Sequence, residues 1–331
     1  EITPSMKQSA GVSHSTSDPV LREVFHHRYA SIAEEMGVIL RKSAISTNIR
    51  ERLDFSCAVF TSKGDLLANA PHIPVHLGAM GETVQAMIQS FPEMSAGDIF
   101  VTNDPFHGGS HLPDITVVMP VFHGKGTIEY FTASRAHHAE IGGITPGSMP
   151  PNAKNLAEEG VVIQPMRMAT SEGFRIDELR SCLNSGDYPS RNPEENISDL
   201  MAQMASCRRG ASLLTQLIHE FGADTAAIQS EQILSTSAHA MLQGLKKIPK
   251  GCSVFEDFLD CGTRIALEMN VTNDSVHFDF TGTGDVMPGN LNANPAIVRS
   301  AVMYCLRTLI NSDIPMNEGV MRPVTIAIPE G

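Results

Sequence analysis

Apolar residues at helical spacing open the patterned part of the chain. Val20, Val24, Tyr29, Ile32, Met36, Ile39 and Leu40 share one face of a 3.6-residue period, with Asp18 placed as N-cap and Pro19 at the first helical position. The pattern predicts a helix over 18–43. The period then shifts to two: Phe55–Thr61 and Asp65–Ala68 read as a strand pair around Ser62-Lys63-Gly64. A second helix over Ala79–Phe91 precedes strands at Asp98–Thr102, Ile115–Phe122 and Ile128–Ser134. The last two are joined by the turn His123-Gly124-Lys125-Gly126. Gly and Pro crowd 142–154, which predicts loop. A helical stretch from Glu194 to Lys247 follows, broken near Gly222 where the apolar pattern resets. Strands return at Cys252–Asp260, Ile265–Thr272 and Ser275–Phe280, then a helix at Pro295–Asn311. Val324–Gly331 reads as a strand and turn without a partner.

This order predicts an α+β architecture with two mixed sheet regions separated by a long helical block. Four segments follow from it. Residues 1–17, polar and Ser-rich, read as a linker or disordered terminus. Residues 18–190 form a first α+β region, 191–248 the helical block, and 249–331 a C-terminal α+β region read as incomplete. The 331 residues suffice for two compact domains.

Charge narrows the choice of partners. With 24 Lys+Arg against 37 Asp+Glu the net charge is -13, so nothing attracts a phosphate backbone and nucleic acid is excluded. No apolar run reaches the roughly 18 residues a membrane helix needs, and no basic-then-apolar leader is visible, so the reading is a soluble cytoplasmic chain. Six scattered cysteines without a CxxC pair read as reduced thiols, mostly buried, and speak against a cysteine-held zinc. Cys57 has no basic partner at fixed spacing, so it reads as a packed thiol and not a nucleophile. Thr281-Gly282-Thr283-Gly284 lacks the Lys-Ser/Thr ending of a phosphate loop and reads as a tight turn.

The chemistry concentrates in two stretches that flank a predicted hairpin. One runs from Asn103 to Asp114 and contains Asp104, His107, Ser110 and His111; the other runs from Ser134 to Gly143 and contains His137, His138 and Glu140. A turn centred near 124–126 makes the two strands antiparallel and sets residue 114 close to residue 137. His111, Asp114 and His137 would then converge, a donor set suited to Zn, Mn or Fe as a divalent metal. Adjacent residues of a strand face opposite ways, so His137 is preferred as ligand, with His138 behind it or on the substrate. Asp104 and Glu159 are candidate general bases, and either could equally be a solvated loop carboxylate. Pro74 speaks against a helical His72/His76 metal face, so that pair reads as a loop beside the site. His26-His27 read as surface or packing residues.

Six blocks in order carry a family resemblance: Arg52-Leu53-Asp54-Phe55-Ser56-Cys57, His72 to Gly78, Asn103-Asp104-Pro105, Gly109 to Asp114, His137 to Gly143, and Pro146 to Pro150. Glu159-Gly160 and Gly289 to Ala293 add to them. Together they resemble the hydantoinase B/oxoprolinase family, which takes in the B half of 5-oxoprolinase, N-methylhydantoinase B and large subunits of ketone carboxylases. The resemblance implies a two-part ATP-dependent machine. An A-type half activates the substrate, and the B-type half binds a divalent metal through His111, Asp114 and His137 and opens a cyclic amide. Asp104, Glu140 and His138 are then the catalytic candidates. Glu140 stands where many relatives carry Asp. ATP enters only through the A-type partner, fused or separate, because no phosphate-binding motif is present here. An oligomer is expected. A ketone carboxylase subunit and a non-catalytic scaffold half are the alternatives. Family members are usually longer, so a C-terminal part is expected to be missing or to lie in another segment.

Overall fold

The computed structural model describes residues 18–69, 73–124, 126–310 and 315–330. The expected linker at 1–17 and His72 lie outside them. Helix α1 (Pro19–Ser43) starts where its cap predicts: the Asp18 carboxylate accepts from the Val20 and Leu21 amides, and Phe25, Tyr29, Ile32, Met36 and Leu40 are buried along one face. The short helix α2 (Thr47–Arg50) turns the chain into β1 (Phe55–Thr61) and β2 (Leu66–Asn69). Helix α3 runs over Pro74–Ser90, starting five residues earlier than the apolar pattern predicts. Pro74 sits in its first turn, where a missing N–H costs nothing and a fixed φ favours the helix. His76 is therefore helical, which corrects its reading as loop.

Strands β3 (Ile99–Thr102), β4 (Asp114–His123) and β5 (Thr127–His137) follow, then helix α4 (Leu156–Glu159), strands β6 (Met166–Thr170) and β7 (Gly173–Phe174), and helix α5 (Ile176–Leu183). The segment 142–154 has no regular element, as its Gly and Pro content predicts. These strands form one seven-stranded sheet in the order β2-β1-β5-β4-β3-β6-β7. Every pairing in it is antiparallel, so the expectation of a mixed sheet fails here. Both faces are covered. Phe55, Cys57, Val59, Ile115, Val117 and Ala136 pack toward α1 and helix α6 (Pro193–Phe221). Ala58, Phe60, Val118, Phe131 and Ala133 pack under α3 with Met80, Val84 and Met87. Two-sided burial explains the near-continuous apolar runs of β1, β4 and β5, and each buried large side chain contributes about 1.5–3 kcal/mol.

The helical stretch breaks at Gly222 and continues as α7 (Ala223–Leu245). It is not a spacer: α6 lies on β4, β5 and α1, and only the end of α7 reaches the second core. That core joins Met241 and Leu245 to Val271, Val276 and Phe278 of a four-stranded sheet and to Val302, Met303 and Leu306 of α8 (Pro295–Ile310). The sheet is built from β8 (Gly251–Phe258), β9 (Arg264–Val271), β10 (Val276–Asp279) and β11 (Val324–Ala327), in the order β11-β10-β9-β8. Strand β11 does have a partner: it pairs parallel with β10, from Val276↔Val324 to Asp279↔Ala327. This sheet alone is mixed.

The two cores meet where α3 crosses α8. A Cβ on Gly78 would stand 2.9 Å from the Ser300 backbone, so only glycine permits that approach. All six cysteines are free, but only Cys57 and Cys207 are buried, Cys182 is half-buried and Cys252, Cys261 and Cys305 are exposed, which corrects the expectation of mostly buried thiols. Burial pushes the Cys57 thiol up, leaving it inert. No helix among the described residues is long and apolar enough to cross a membrane.

Candidate metal centre

The β4–β5 hairpin sets Asp114 opposite His137. Period-two alternation then places Asp114, Thr116, Arg135 and His137 on the sheet face that α3 covers. His111 joins them from the loop before β4. Its Nδ1 lies 3.2 Å from Asp114 Oδ2 and its Nε2 3.0 Å from His137 Nδ1, and His137 Nδ1 is 3.2 Å from Asp114 Oδ1. One donor atom from each residue falls within 4.8 Å of the others. The close pairs use both ring nitrogens of His111 and both oxygens of Asp114, so it is the grouping of two imidazoles and a carboxylate within 4.8 Å that suits a divalent ion. The 3.0 Å approach of His111 Nε2 to His137 Nδ1 is an N–H···N hydrogen bond between neutral rings, and it holds both imidazoles at the place where a cation would be shared. The donor set thus fits a divalent ion.

Around the three stands a supporting ring. Asp114 is 1% exposed. Its Oδ2 accepts from Ser110 Oγ at 2.6 Å and lies 3.1 Å from His76 Nε2, whose Nδ1 is 3.1 Å from Ser56 Oγ. Burial alone would raise the Asp114 carboxyl, but hydrogen bonds from His111, His137 and His76 hold it well below the usual carboxylate range. Burial opposes the charged form of His111, yet the hydrogen bond and charge of Asp114 win and leave it raised. Asp54, in the turn before β1, brings Oδ2 to 4.0 Å from His137 Nδ1, and its carbonyl accepts from the His137 amide at 3.0 Å. Leu53 beside it has φ +57°, a left-handed conformation that costs a non-glycine residue about 1–2 kcal/mol.

Arg135 lies fully buried beneath the cluster, donating to Thr116 Oγ1, Thr83 Oγ1 and the Gly108 carbonyl at 2.8 Å each. Burial lowers it to about 10, against the pull of Asp114. Gly108 has φ +80°, and a Cβ there would collide with the Thr83 amide of α3. The loop that carries Ser110 and His111 is therefore pressed against the helix that carries His76. Asn103 pins the same loop, donating to the Leu112 and Val161 carbonyls and accepting from the Ile163 amide.

The three catalytic candidates fall elsewhere. The Asp104 carboxylate caps the turn at 105–107, accepting from the Phe106 amide and lying 2.8 Å from His107 Nδ1. It stays out of the cavity that His107 lines. Glu140 is tied to Arg191 at 2.7 Å, to the Gly142 amide and to Ser190 Oγ, and clamps the 140–148 loop to the start of α6. Burial opposes its charge, but those Arg191 and Gly142 hydrogen bonds keep its pKa low. His138 points to the opposite sheet face, fully buried between Gln203 Oε1 at 3.1 Å and Asn196 Nδ2 at 3.2 Å. Burial lowers it. Carboxylates that satisfy loop amides cannot be told by sequence from those that face a substrate.

Above the cluster opens a cavity of about 1330 Å³ lined by Asp54, His76, His107, His111, Asp114, His137 and Glu159 on one side. Its other wall comes from 286–297 and 328–329. Asn294 ties that wall down, donating to the Gly109 carbonyl at 2.7 Å, and Asn290 donates to the Pro150 carbonyl at 2.7 Å. Phe106, Met149, Val286 and Leu291 give the cavity an exposed apolar lip. Glu159 has no hydrogen-bond or ion-pair partner among the described residues, and burial raises its pKa against the pull of His111.

The site is thus a His/Asp cluster between a hairpin and a glycine-bearing loop of an α+β module, beneath a wide cavity. The chain belongs to the hydantoinase B/oxoprolinase family, whose model matches residues 18–331. It is 44% identical to a 5-oxoprolinase of Saccharomyces cerevisiae over 95% of this chain and 25% of that protein, and 42% identical to 5-oxoprolinase 1 of Arabidopsis thaliana over 100% and 28%. The chain thus spans about a quarter of the length of these relatives. Among solved structures it superposes on an ATP-dependent caprolactamase from Pseudomonas jessenii with TM-score 0.86 and 25% identity, covering 96% of this chain and 55% of that one. An acetone carboxylase shares the fold, with TM-score 0.83 at 18% identity. The relatives so named, 5-oxoprolinase and caprolactamase, act on cyclic amides.

Proposed function

We propose that this chain is the metal-binding, ring-opening part of an ATP-dependent cyclic-amide hydrolase, with ATP used on an A-type half that is fused or a separate subunit. The observation that carries the reading is the convergence of His111, Asp114 and His137 at the floor of the cavity. A divalent ion held there would polarise the amide carbonyl and supply a nucleophilic water near neutral pH. His111, Asp114 and His137 would hold it, with the Asp54 carboxylate beside them, 4.0 Å from His137 Nδ1. Ser110 and His76 fix the Asp114 carboxylate, and Arg135 fixes the loop of His111 through the Gly108 carbonyl. Glu159, unpaired and raised by burial, takes the proton from the attacking water and returns it to the departing ring nitrogen. Asp104, Glu140 and His138 act by position only. The apolar lip shields the opening ring from bulk water.

The test is the full complex of both halves, assayed for metal content and for ATP-dependent opening of 5-oxoproline. His111→Ala should lose both while the complex still assembles. A variant that keeps both overturns the reading.

A further inference from the structure

The wall that carries Asp54 also carries a cation, Arg52. Among the described residues lining the cavity, Arg52 is the one Lys or Arg, against Asp54, Glu82, Asp114 and Glu159. Its guanidinium is exposed and makes no hydrogen bond or ion pair among the described residues, whereas Arg135, Arg167, Arg191, Arg299 and Arg322 are all engaged. The turn that presents it is rigid. The Arg52 amide donates to Thr47 O, the Asp54 amide to Asn48 O and the Phe55 amide to Leu53 O, and Leu53 holds its left-handed φ of +57° between them. These bonds and the left-handed Leu53 fix the shape of the turn. Here it sets Arg52 two residues from Asp54, which reaches the His137 ring.

We propose that Arg52 anchors a carboxylate on the substrate, so that the site selects lactams bearing an acid group beside the ring over neutral lactams. The planar guanidinium matches a carboxylate through two parallel hydrogen bonds. A phosphate is a poorer match: it carries more charge, while the neighbouring wall offers Asp54, Glu82 and Glu159, which repel it. A single cation in an acidic wall balances a single negative charge. This assignment rests on the reading of the site as a ring-opening centre.

The test compares 5-oxoproline with 2-pyrrolidinone, the same ring without the acid group, on the metal-loaded full complex. Equilibrium binding is read by calorimetry, and turnover separately. Arg52→Gln should lower the preference for 5-oxoproline by about 10- to 100-fold, the range for one charge-assisted contact, mainly through KM, with metal content retained. Arg52→Lys should recover part of it. A binding preference within twofold of the parent overturns the proposal, as does a loss confined to inorganic phosphate binding. If the parent binds 5-oxoproline selectively but opens no ring, the ring-opening reading falls and the anchor stands.

Discussion

Asp114→Asn offers the sharpest single perturbation of the centre. Asparagine keeps the shape but removes the charge, and it turns an amide N–H₂ toward a point where Ser110 Oγ and three imidazoles converge at 2.6–3.2 Å. A hydrogen bond to a charged group contributes about 1.5–3 kcal/mol and a neutral one about 0.5–1.5. With several contacts weakened by about 1 kcal/mol each, the ion-free protein should lose about 2–4 kcal/mol, roughly 4–8 °C in melting temperature. The metal should suffer more. Removing even an outer partner of a ligand costs about 10–100-fold in affinity, so losing this buried carboxylate should cost at least about 100-fold. The same change shifts the pH dependence. His111 has a raised folded pKa, so the stability its charge brings to the ion-free protein is present below 6.5 and lost as pH rises through the raised value. An ion needs the neutral ring, so uptake in the parent should fall with pH in a step lying above 6.5, and in Asp114→Asn that step moves lower. Metal analysis after dialysis, chelator competition and titration across pH 5–9 check each part. An Asn variant with stoichiometric metal, affinity within about threefold of the parent and an unmoved pH step would refute the reasoning.

Glu159→Gln should retain metal and substrate binding and lose about 10²–10⁴-fold in kcat, the usual contribution of a placed proton carrier; unchanged kcat in steady-state turnover removes it from the chemistry. Glu140→Gln should leave metal content intact and speed hydrogen exchange across 141–148, because Arg191, Gly142 and Ser190 lose their shared acceptor. Its depressed pKa means the clamp is present above 4.5 in the parent and released as pH falls through the lower folded value. Parent exchange in 141–148 that stays flat on acidification would contradict that role.

The hairpin half of the centre was readable from spacing alone, since a turn near 124–126 dictates the Asp114↔His137 pairing and alternation sends His138 the other way. His76 was not. Its place depends on α3 docking across the sheet, and Pro74 looks like a helix breaker until it is seen in the first turn. Asp54 was hidden for a related reason: only the pairing of β1 with β5, Phe55↔Ala136, carries it beside His137 across some eighty residues of chain. The parallel β10–β11 contact is likewise a long-range fact with no local signature. The Asp104 and Glu140 carboxylates are engaged by loop amides, a role served by the same side-chain chemistry as proton transfer.

The floor of the cavity and its facing wall are built on different sheets, joined by Asn294 reaching the Gly109 carbonyl and by the tight α3–α8 crossing at Gly78. The aperture is thereby tied to the cluster only at a few points. Replacements along 286–293 would reshape the opening while the hairpin that supplies His137 and Asp114 keeps its register.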